Sequence, residues 1–363
     1  MGAHIRKIAE GSEITLVADG VSDLSEEVFG AAVCFHDLAI SRKINLSADA
    51  SALFRLWRFF RQRRFNCVHS IMPKAGLLSM LAAVAAAVPC RFHTFTGQVW
   101  VTRTGIARWF LMLMDRLIAT LATGVITDSL SQRDFLIAHN IVRPEKISVL
   151  GKGSITGVDT LRFVPDPIVR ANGRRDLGIC DDDFVFLFVG RLTRDKGVND
   201  LLKAFAEIAG GCPDIHLLLV GPDEDGYDSC IANLAETLRQ RIHSVGFTDR
   251  PEQFMAISDV ICLPSYREGF GSVLIEAASA ELPAIASRIY GISDAVVDGV
   301  TGVMHEPGDV SEIVLCMSRL AKDQPLRRRM GIAARARAIE DFSEELLTAA
   351  FCAYYRKHGV LSR

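Results

Sequence analysis

Pro264-Ser-Tyr-Arg-Glu-Gly-Phe-Gly-Ser-Val-Leu-Ile-Glu276 follows the short apolar run Val260-Ile-Cys-Leu263, which reads as a buried strand. It leads into residues 272–280, which hold good helix formers and no breaker. The chain therefore goes strand, Gly-rich turn, helix. This order puts Gly269, Phe270, Gly271 and Ser272 at a helix N-terminus, where unpaired backbone N–H groups and the helix dipole favour an anion. Glycines at 269 and 271 let the backbone approach a ligand with no side chain in the way. Glu268 lies in the turn and Glu276 about two helical turns on, so both can border one pocket at different depths. Glutamates in turns and first helical turns are also common as solvated or dipole-complementing residues, so the wider context has to weigh in.

That context lies about seventy residues upstream. Phe184-Val-Phe-Leu-Phe-Val-Gly190-Arg191-Leu-Thr-Arg-Asp-Lys196-Gly197 is a fully apolar strand that ends at Gly190 and opens on Arg191 and Lys196. Cations just past the carboxyl end of a buried strand sit where a doubly wound sheet holds its ligand. Arg grips a diphosphate as a fork and Lys as a point charge. Two carboxylates beside such an anion site suggest a polyhydroxylated ligand that also carries phosphate, which is the chemistry of a nucleotide-sugar.

Gly190-Arg191-Leu192 with Lys196-Gly197, then Glu268-Gly-Phe-Gly271 and a second glutamate eight positions on at Glu276, resembles the donor site of glycosyltransferase family 4. The resemblance runs roughly from Glu13 to the end of the chain. It implies the α/β GT-B fold, two Rossmann-like parallel-sheet domains facing a cleft, and a retaining, metal-independent hexosyltransferase-type reaction. By the same resemblance, Arg191 and Lys196 neutralise the diphosphate leaving group and Glu268 accepts hydrogen bonds from donor-sugar hydroxyls, making these three the candidate catalytic residues. Gly190, Gly269, Phe270 and Gly271 would line the donor, the last three through backbone amides, and Glu276 would hold the ribose. No general base stands out, in keeping with a same-face reaction in which the departing phosphate oxygen takes the acceptor's proton.

The expected domains are an acceptor-side Rossmann-like domain over residues 1–160, a nucleotide-sugar-binding one over 161–341, and a C-terminal helix over 342–363 that crosses back to the first. In the second domain, strands read at 184–189, 216–220, 242–245, 260–263 and 284–286 alternate with helices, the cadence of a Rossmann-like domain. In the first, strands read at 13–18, 31–35, 67–69, 91–95, 125–127 and 146–150. The family begins with an earlier strand and a Gly-containing loop, so the first domain is expected to lack its first strand, with a start codon upstream of Met1 or a truncated relative as the two explanations. After the strand at 91–95 comes Thr96-Gly97, where many relatives carry His-Gly. Thr96 and Gly97 are therefore candidate lining, and His93, three residues earlier, is either lining or a core histidine. The Gly-rich stretch 151–159 reads as the interdomain connection, and Lys152 and Ser154 could reach the ligand from it.

Bulk properties narrow the function class. Nine scattered cysteines with no C-x-x-C pair argue for reduced thiols in a cytoplasmic protein, against a disulfide framework or zinc site. Neither a Gly-x-Gly-x-x-Gly after a strand nor a Walker A sequence occurs, so no nicotinamide, flavin or ATPase chemistry is expected. Asp223-Glu-Asp225 resembles a metal-binding carboxylate pair but is expected to be a solvated loop; no cofactor and no metal are expected. The longest apolar stretch, 75–88, is too short to span a bilayer.

Residues 1–165 hold 19 Lys and Arg against 13 Asp and Glu, whereas the remainder holds 22 against 30. The basic half contains a helix at 50–64 with five arginines interleaved with aromatic residues, suited either to an anionic membrane surface or to packing its apolar face on the sheet. The expected partners are a nucleotide-sugar, with UDP as the expected nucleotide, a polyprenyl-diphosphate-linked or saccharide acceptor of cell-surface polysaccharide assembly, and an anionic membrane surface, with no nucleic acid. Peripheral attachment to the inner face of the cytoplasmic membrane follows. The rival readings are a nucleotide-sugar epimerase of the same fold and a catalytically silent truncated relative.

Overall fold

The computed structural model describes residues 2–21, 29, 32–40, 45–212 and 214–361. The chain forms two compact units, Met1–Thr156 with Glu344–Arg363, and Gly157–Ser343.

In the first unit, β1 (Ile14–Ala18) and β2 (Val33–Asp37) form a parallel pair with Ile14 opposite Val33. A separate parallel sheet runs in the order β3 (Cys67–Ser70), β4 (Cys90–Phe95), β5 (Gly124–Thr127) and β6 (Ile147–Val149). Every residue of β5 is buried, as a strand covered on both faces requires. The helix Leu46–Arg63 begins four residues earlier than its apolar pattern suggests, because the Asn45 side chain caps it by accepting from the Ala48 N–H at 3.2 Å. Its Ala52, Leu56 and Phe60 are buried, and the Phe59 ring stacks on His36 at 4.0 Å, so the aromatic content of this helix goes largely into the core. Arg55, Arg58 and Arg61 are left in solvent.

The helix Glu344–Lys357 completes this first unit. Leu347, Phe351, Tyr354 and Tyr355 pack on Phe92, Ile126 and Leu150. The fit is close: a Cβ at Gly124 would lie 2.3 Å from the Tyr354 hydroxyl oxygen. Polar groups under the helix are paired. The two ring nitrogens of His69 lie 2.7 Å from the Tyr355 and Thr94 hydroxyls, and those of His4 meet the Thr348 hydroxyl and the Ile155 carbonyl.

In the second unit, six parallel strands stand in the order β12, β11, β10, β7, β8, β9. They are β7 (Phe184–Val189), β8 (Ile215–Val220), β9 (Ile242–Gly246), β10 (Val260–Leu263), β11 (Ala284–Ser287) and β12 (Gly302–His305). The unit's first strand is central. The chain winds outward through β8 and β9, then returns to β10 on the other side of β7 and winds outward again. Neighbouring connections therefore diverge between β7 and β10, and such a topological switch point opens a crevice at the carboxyl ends of the strands. The strand β12 was not anticipated: Gly-Val-Met-His is too short and mixed to read as an apolar run.

Burial of one cation fixes the base of this sheet. Arg174 is 1% exposed, and its guanidinium donates to the Ile257, Cys180, Asp181 and Asp183 carbonyls and to Asp259 Oδ2 at 2.9 Å. The Asp259 carboxylate also takes Arg170 at 2.6 Å and the Val185 N–H at 2.8 Å. A buried charge is tolerable only with its donors satisfied in this way.

Candidate active site

The crevice edge is built by three strand ends that approach one another closely. After β7 the chain turns at Gly190, and a Cβ at Gly221, just past β8, would stand 2.0 Å from the Gly190 carbonyl oxygen. After β10, the Pro264 carbonyl oxygen lies 2.0 Å from where a Cβ of Gly197 would be. Gly197 also has φ 71°, so no other residue suits that position. These contacts bring the turn 190–197 against the turn 264–271.

Two helices begin at this edge. Val198–Ala209 starts from Gly197 and Ser272–Ser279 from Gly271, glycines that have no side chain to cap with. The Tyr227 hydroxyl engages the Asn199 N–H, and the Asp200 and Leu274 N–H groups turn back to the Gly197 and Gly271 carbonyls, while the positive ends of both dipoles meet at the turn and favour an anion there.

Between them sits a charged pair. Lys196 Nζ donates to Glu268 Oε1 at 2.5 Å, and Ser265 Oγ donates to the same oxygen at 2.9 Å. Both side chains are largely shielded, at 22% and 12% exposed. Oε1 is saturated, which leaves Glu268 Oε2 as an acceptor and two further N–H groups on Lys196 as donors.

Arg191 is placed differently from Lys196. Its side chain is 44% exposed and donates to Glu224 Oε2 at 2.7 Å. The neighbouring carboxylates are engaged locally. Asp223 accepts from the Asp225, Gly226 and Asp228 N–H groups, and Asp225 accepts from the Arg194 N–H. Each of the three acids of the 223–225 stretch is thus tied to a different backbone or side-chain donor.

Phe270 turns its side chain into the core. Its ring is 2% exposed and meets Phe342 edge-on at 5.2 Å. The turn is pinned at Gly291, where a Cβ would be 2.4 Å from the Gly269 carbonyl oxygen. Glu276, one helical stretch further in, is half-buried, and no hydrogen bond or ion pair engages its carboxyl among the described residues. Burial pushes its pKa up to about 7, against the pull of Arg162.

Reading the sequence missed a second clamp on this turn. Tyr266 OH donates to Asp200 Oδ2 at 2.6 Å, and its backbone N–H donates to the Asp195 carbonyl. The Asp200 carboxylate and burial push the Tyr266 hydroxyl up to about 12, so it stays a donor. Gly308 makes room for the hydroxyl, since a Cβ there would be 2.9 Å from it. The signal was present: Tyr266 lies inside the quoted stretch and Asp200 three residues after Gly197.

The remaining candidates belong to the first unit. His93 is fully buried, its Nδ1 lies 2.9 Å from Ser70 Oγ, and burial pushes its pKa down to about 3. Helix Pro73–Ala85 has a glycine, Gly76, directly against the His93 ring, where a Cβ would be 2.4 Å from Cε1. Thr96 is half-buried and Gly97 is buried just past the end of β4. Ser154 is buried, and its N–H donates to the Asp128 carbonyl, whereas Lys152 is exposed.

Comparison with known proteins agrees along the length of the chain. Residues 169–337 match the family described as glycosyl transferases group 1, and residues 6–153 match the glycosyl transferase 4-like domain. The capsular polysaccharide biosynthesis glycosyltransferase CapM of Staphylococcus aureus is 31% identical over 319 residues, which is 86% of this chain and 82% of CapM. The UDP-Gal:alpha-D-GlcNAc-diphosphoundecaprenol alpha-1,3-galactosyltransferase of Escherichia coli is 27% identical over 321 residues, 87% of this chain and 82% of that protein. Among solved structures, Anabaena HepE in complex with UDP-glucose superposes with a TM-score of 0.79 at 20% identity, covering 98% of this chain and 95% of that one. Sucrose-phosphate synthase from Thermosynechococcus elongatus gives 0.80 at 20% identity, covering 98% and 91%. The family matches and the identity to CapM are sequence evidence, and the superpositions bear on the fold alone; taken together, the chain belongs to the GT-B glycosyltransferases of group 1 and the 4-like family.

Proposed function

We propose that this protein transfers a sugar from a UDP-sugar, with retention and without a metal, to a polyprenyl-diphosphate-linked or saccharide acceptor in surface polysaccharide assembly. One observation carries the donor half of this reading: the Lys196–Glu268 pair lies where two helix N-termini meet at the switch point of the sheet. Leaving-group charge grows on the β-phosphate as the bond from the sugar's anomeric carbon breaks, and fixed donors aimed there are the largest electrostatic aid available. The remaining N–H groups of Lys196 and the amides of residues 270–272 supply such donors, and Glu268 Oε2 accepts from a sugar hydroxyl. Arg191 joins them at little cost, because an exposed pair such as Arg191–Glu224 is worth at most about 1 kcal/mol. Glu276 accepts the ribose hydroxyls.

In the reaction, the anomeric carbon–oxygen bond breaks and the electron pair leaves with the β-phosphate. That phosphate oxygen takes the acceptor hydroxyl's proton, and the acceptor oxygen bonds the anomeric carbon from the same face. The E. coli relative, by its name, uses UDP-galactose and a diphosphoundecaprenol-linked sugar, and CapM, by its name, serves capsule synthesis; both support the acceptor class. The test is calorimetric titration with UDP and then GDP, followed by product analysis by NMR. UDP binding that is lost in Glu276→Ala, with an α-linked product from an α-linked donor, supports the reading. Absence of nucleotide binding, or an altered donor sugar formed without acceptor, overturns it.

A further inference from the structure

The helix Gly105–Leu121 carries an apolar stripe on its outer side. Its inner side is accounted for: Ile118 and Ala119 are buried, Leu111, Met112 and Leu121 pack on the first unit's core, and the Asp115 carboxylate accepts from the Trp100 indole at 2.8 Å. Ile106, Trp109, Phe110 and Leu113 are nevertheless all exposed, Ile106 at 86% and Trp109 at 61%. Their spacing, i, i+3, i+4 and i+7, puts them on one face over two helical turns, about 10 Å long. Single exposed apolar residues are ordinary, but four contiguous ones that include a Trp and a Phe are not.

The surroundings of the stripe are cationic. Helix Pro73–Ala85 packs against both Gly105–Leu121 and Leu46–Arg63. Helices Pro73–Ala85 and Gly105–Leu121 each lead from one strand of the β3–β6 sheet to the next, so they run the same way, and Met72 and Ile106, both exposed, share the edge where these two helices begin. From Asn45 to Leu121 the sequence holds ten Lys and Arg and only two carboxylates. Neither carboxylate is exposed: Asp115 is buried under the stripe, and Asp49 is paired with Lys74 at 2.6 Å. Arg55, Arg58, Arg61 and Arg103 are in solvent.

We infer that this face docks on an anionic bilayer, with Ile106, Trp109, Phe110 and Leu113 entering the headgroup and acyl boundary and the exposed arginines meeting lipid phosphates. An amphipathic helix with Trp, Phe and Leu on one side and cations beside it suits that interface. The arginine-rich helix Leu46–Arg63 supplies charge, while the apolar wedge comes from a different helix. No helix among the described residues is long and apolar enough to cross a membrane, and the stripe needs none. The inference rests, for its purpose, on the lipid-linked acceptor proposed above, whereas its test uses neither donor nor acceptor.

The full chain is cosedimented with vesicles of phosphatidylcholine alone and of phosphatidylcholine with phosphatidylglycerol. Binding to the mixed vesicles only, weakened by salt, is expected. Trp109→Ser with Phe110→Ser lowers it roughly tenfold or more, and Arg55→Glu with Arg58→Glu removes most of the salt dependence. Because Trp57 and Trp100 also fluoresce, bromolipid quenching is measured in Trp109→Phe, which still binds but loses the quenched component. Unchanged far-ultraviolet circular dichroism and thermal unfolding in each variant check that the fold is intact. Equal sedimentation of the Trp109/Phe110 double variant, or no binding by the natural chain, overturns the inference. So does a dimer in solution that Trp109→Ser splits, which would make the stripe an interface between copies. Vesicle binding without any UDP binding would leave the docking face standing and sink the transferase reading instead.

Discussion

Lys196 Nζ lies 2.5 Å from Glu268 Oε1, an oxygen that Ser265 also engages, so a lysine after β7 and a glutamate after β10 are locked together across the switch point of the sheet. The lock fixes the direction in which the lysine's remaining donors point. Lys196→Ala is expected to lower kcat about 10²- to 10³-fold, the usual cost of losing one fixed donor to a developing charge. Ser265→Ala should cost far less and raise KM for the donor more than it lowers kcat. Steady-state kinetics with a UDP-sugar would separate the two, and an unchanged kcat in Lys196→Ala would remove this residue from the chemistry.

The Glu276 carboxyl binds a proton more tightly in the folded chain, at about 7, than the 4.5 ordinary for glutamate. Between those two values the folded state holds more protons than the unfolded one, so stability falls as pH rises through that window. Glu276→Gln should therefore stabilise the ligand-free protein at pH 8 by up to about 3 kcal/mol and change little at pH 4. UDP affinity should move oppositely, rising with pH to a plateau above about 7, because ribose hydroxyls donate to the ionised form. Thermal unfolding and titration at both ends of the window would check each limb.

Gly197→Ala places a methyl group 2.0 Å from the Pro264 carbonyl oxygen and forces a positive φ on alanine. Backbone cannot yield as a side-chain tip can, so the turns 190–197 and 264–271 must separate. Loss of nucleotide binding is expected with the second unit still folded, seen as retained far-ultraviolet circular dichroism beside a flat titration.

Arg174→Ala leaves Asp259 without its buried partner and takes one donor from each of four carbonyls, of which Ile257 keeps Arg170 and Cys180 keeps the Asp183 N–H. A cost of about 3 to 5 kcal/mol is expected. Arg170→Ala, which removes a more exposed partner of the same carboxylate, should cost clearly less. Chemical denaturation of both variants would rank them.

The strands of the second unit were legible because β7 and β10 are unbroken apolar runs and β8 is one from Leu217 onward, as burial on both faces demands. The turn after β10 was legible because glycine spacing has few other uses. Orientation was not legible: Phe270 stands in the middle of the motif, yet its ring belongs to the core with Phe342. Pairings between distant residues, such as Lys196 with Glu268 or Tyr266 with Asp200, depend on which strands become neighbours, and periodicity does not encode that order. The stripe on Gly105–Leu121 escaped for another reason. A helix apolar on most of its sides reads as buried, and sequence alone does not say which side the sheet will cover.

The closing helix Glu344–Lys357 has a consequence for the order of events during synthesis. Phe92, Ile126 and Leu150 emerge from the ribosome early, but the Leu347, Phe351, Tyr354 and Tyr355 side chains that cover them emerge only after the whole of Gly157–Ser343. At ordinary elongation rates that interval lasts roughly 10 to 40 s. The second unit can mature in the meantime from contiguous sequence, while the first waits with an apolar face open, a natural point of engagement for a chaperone.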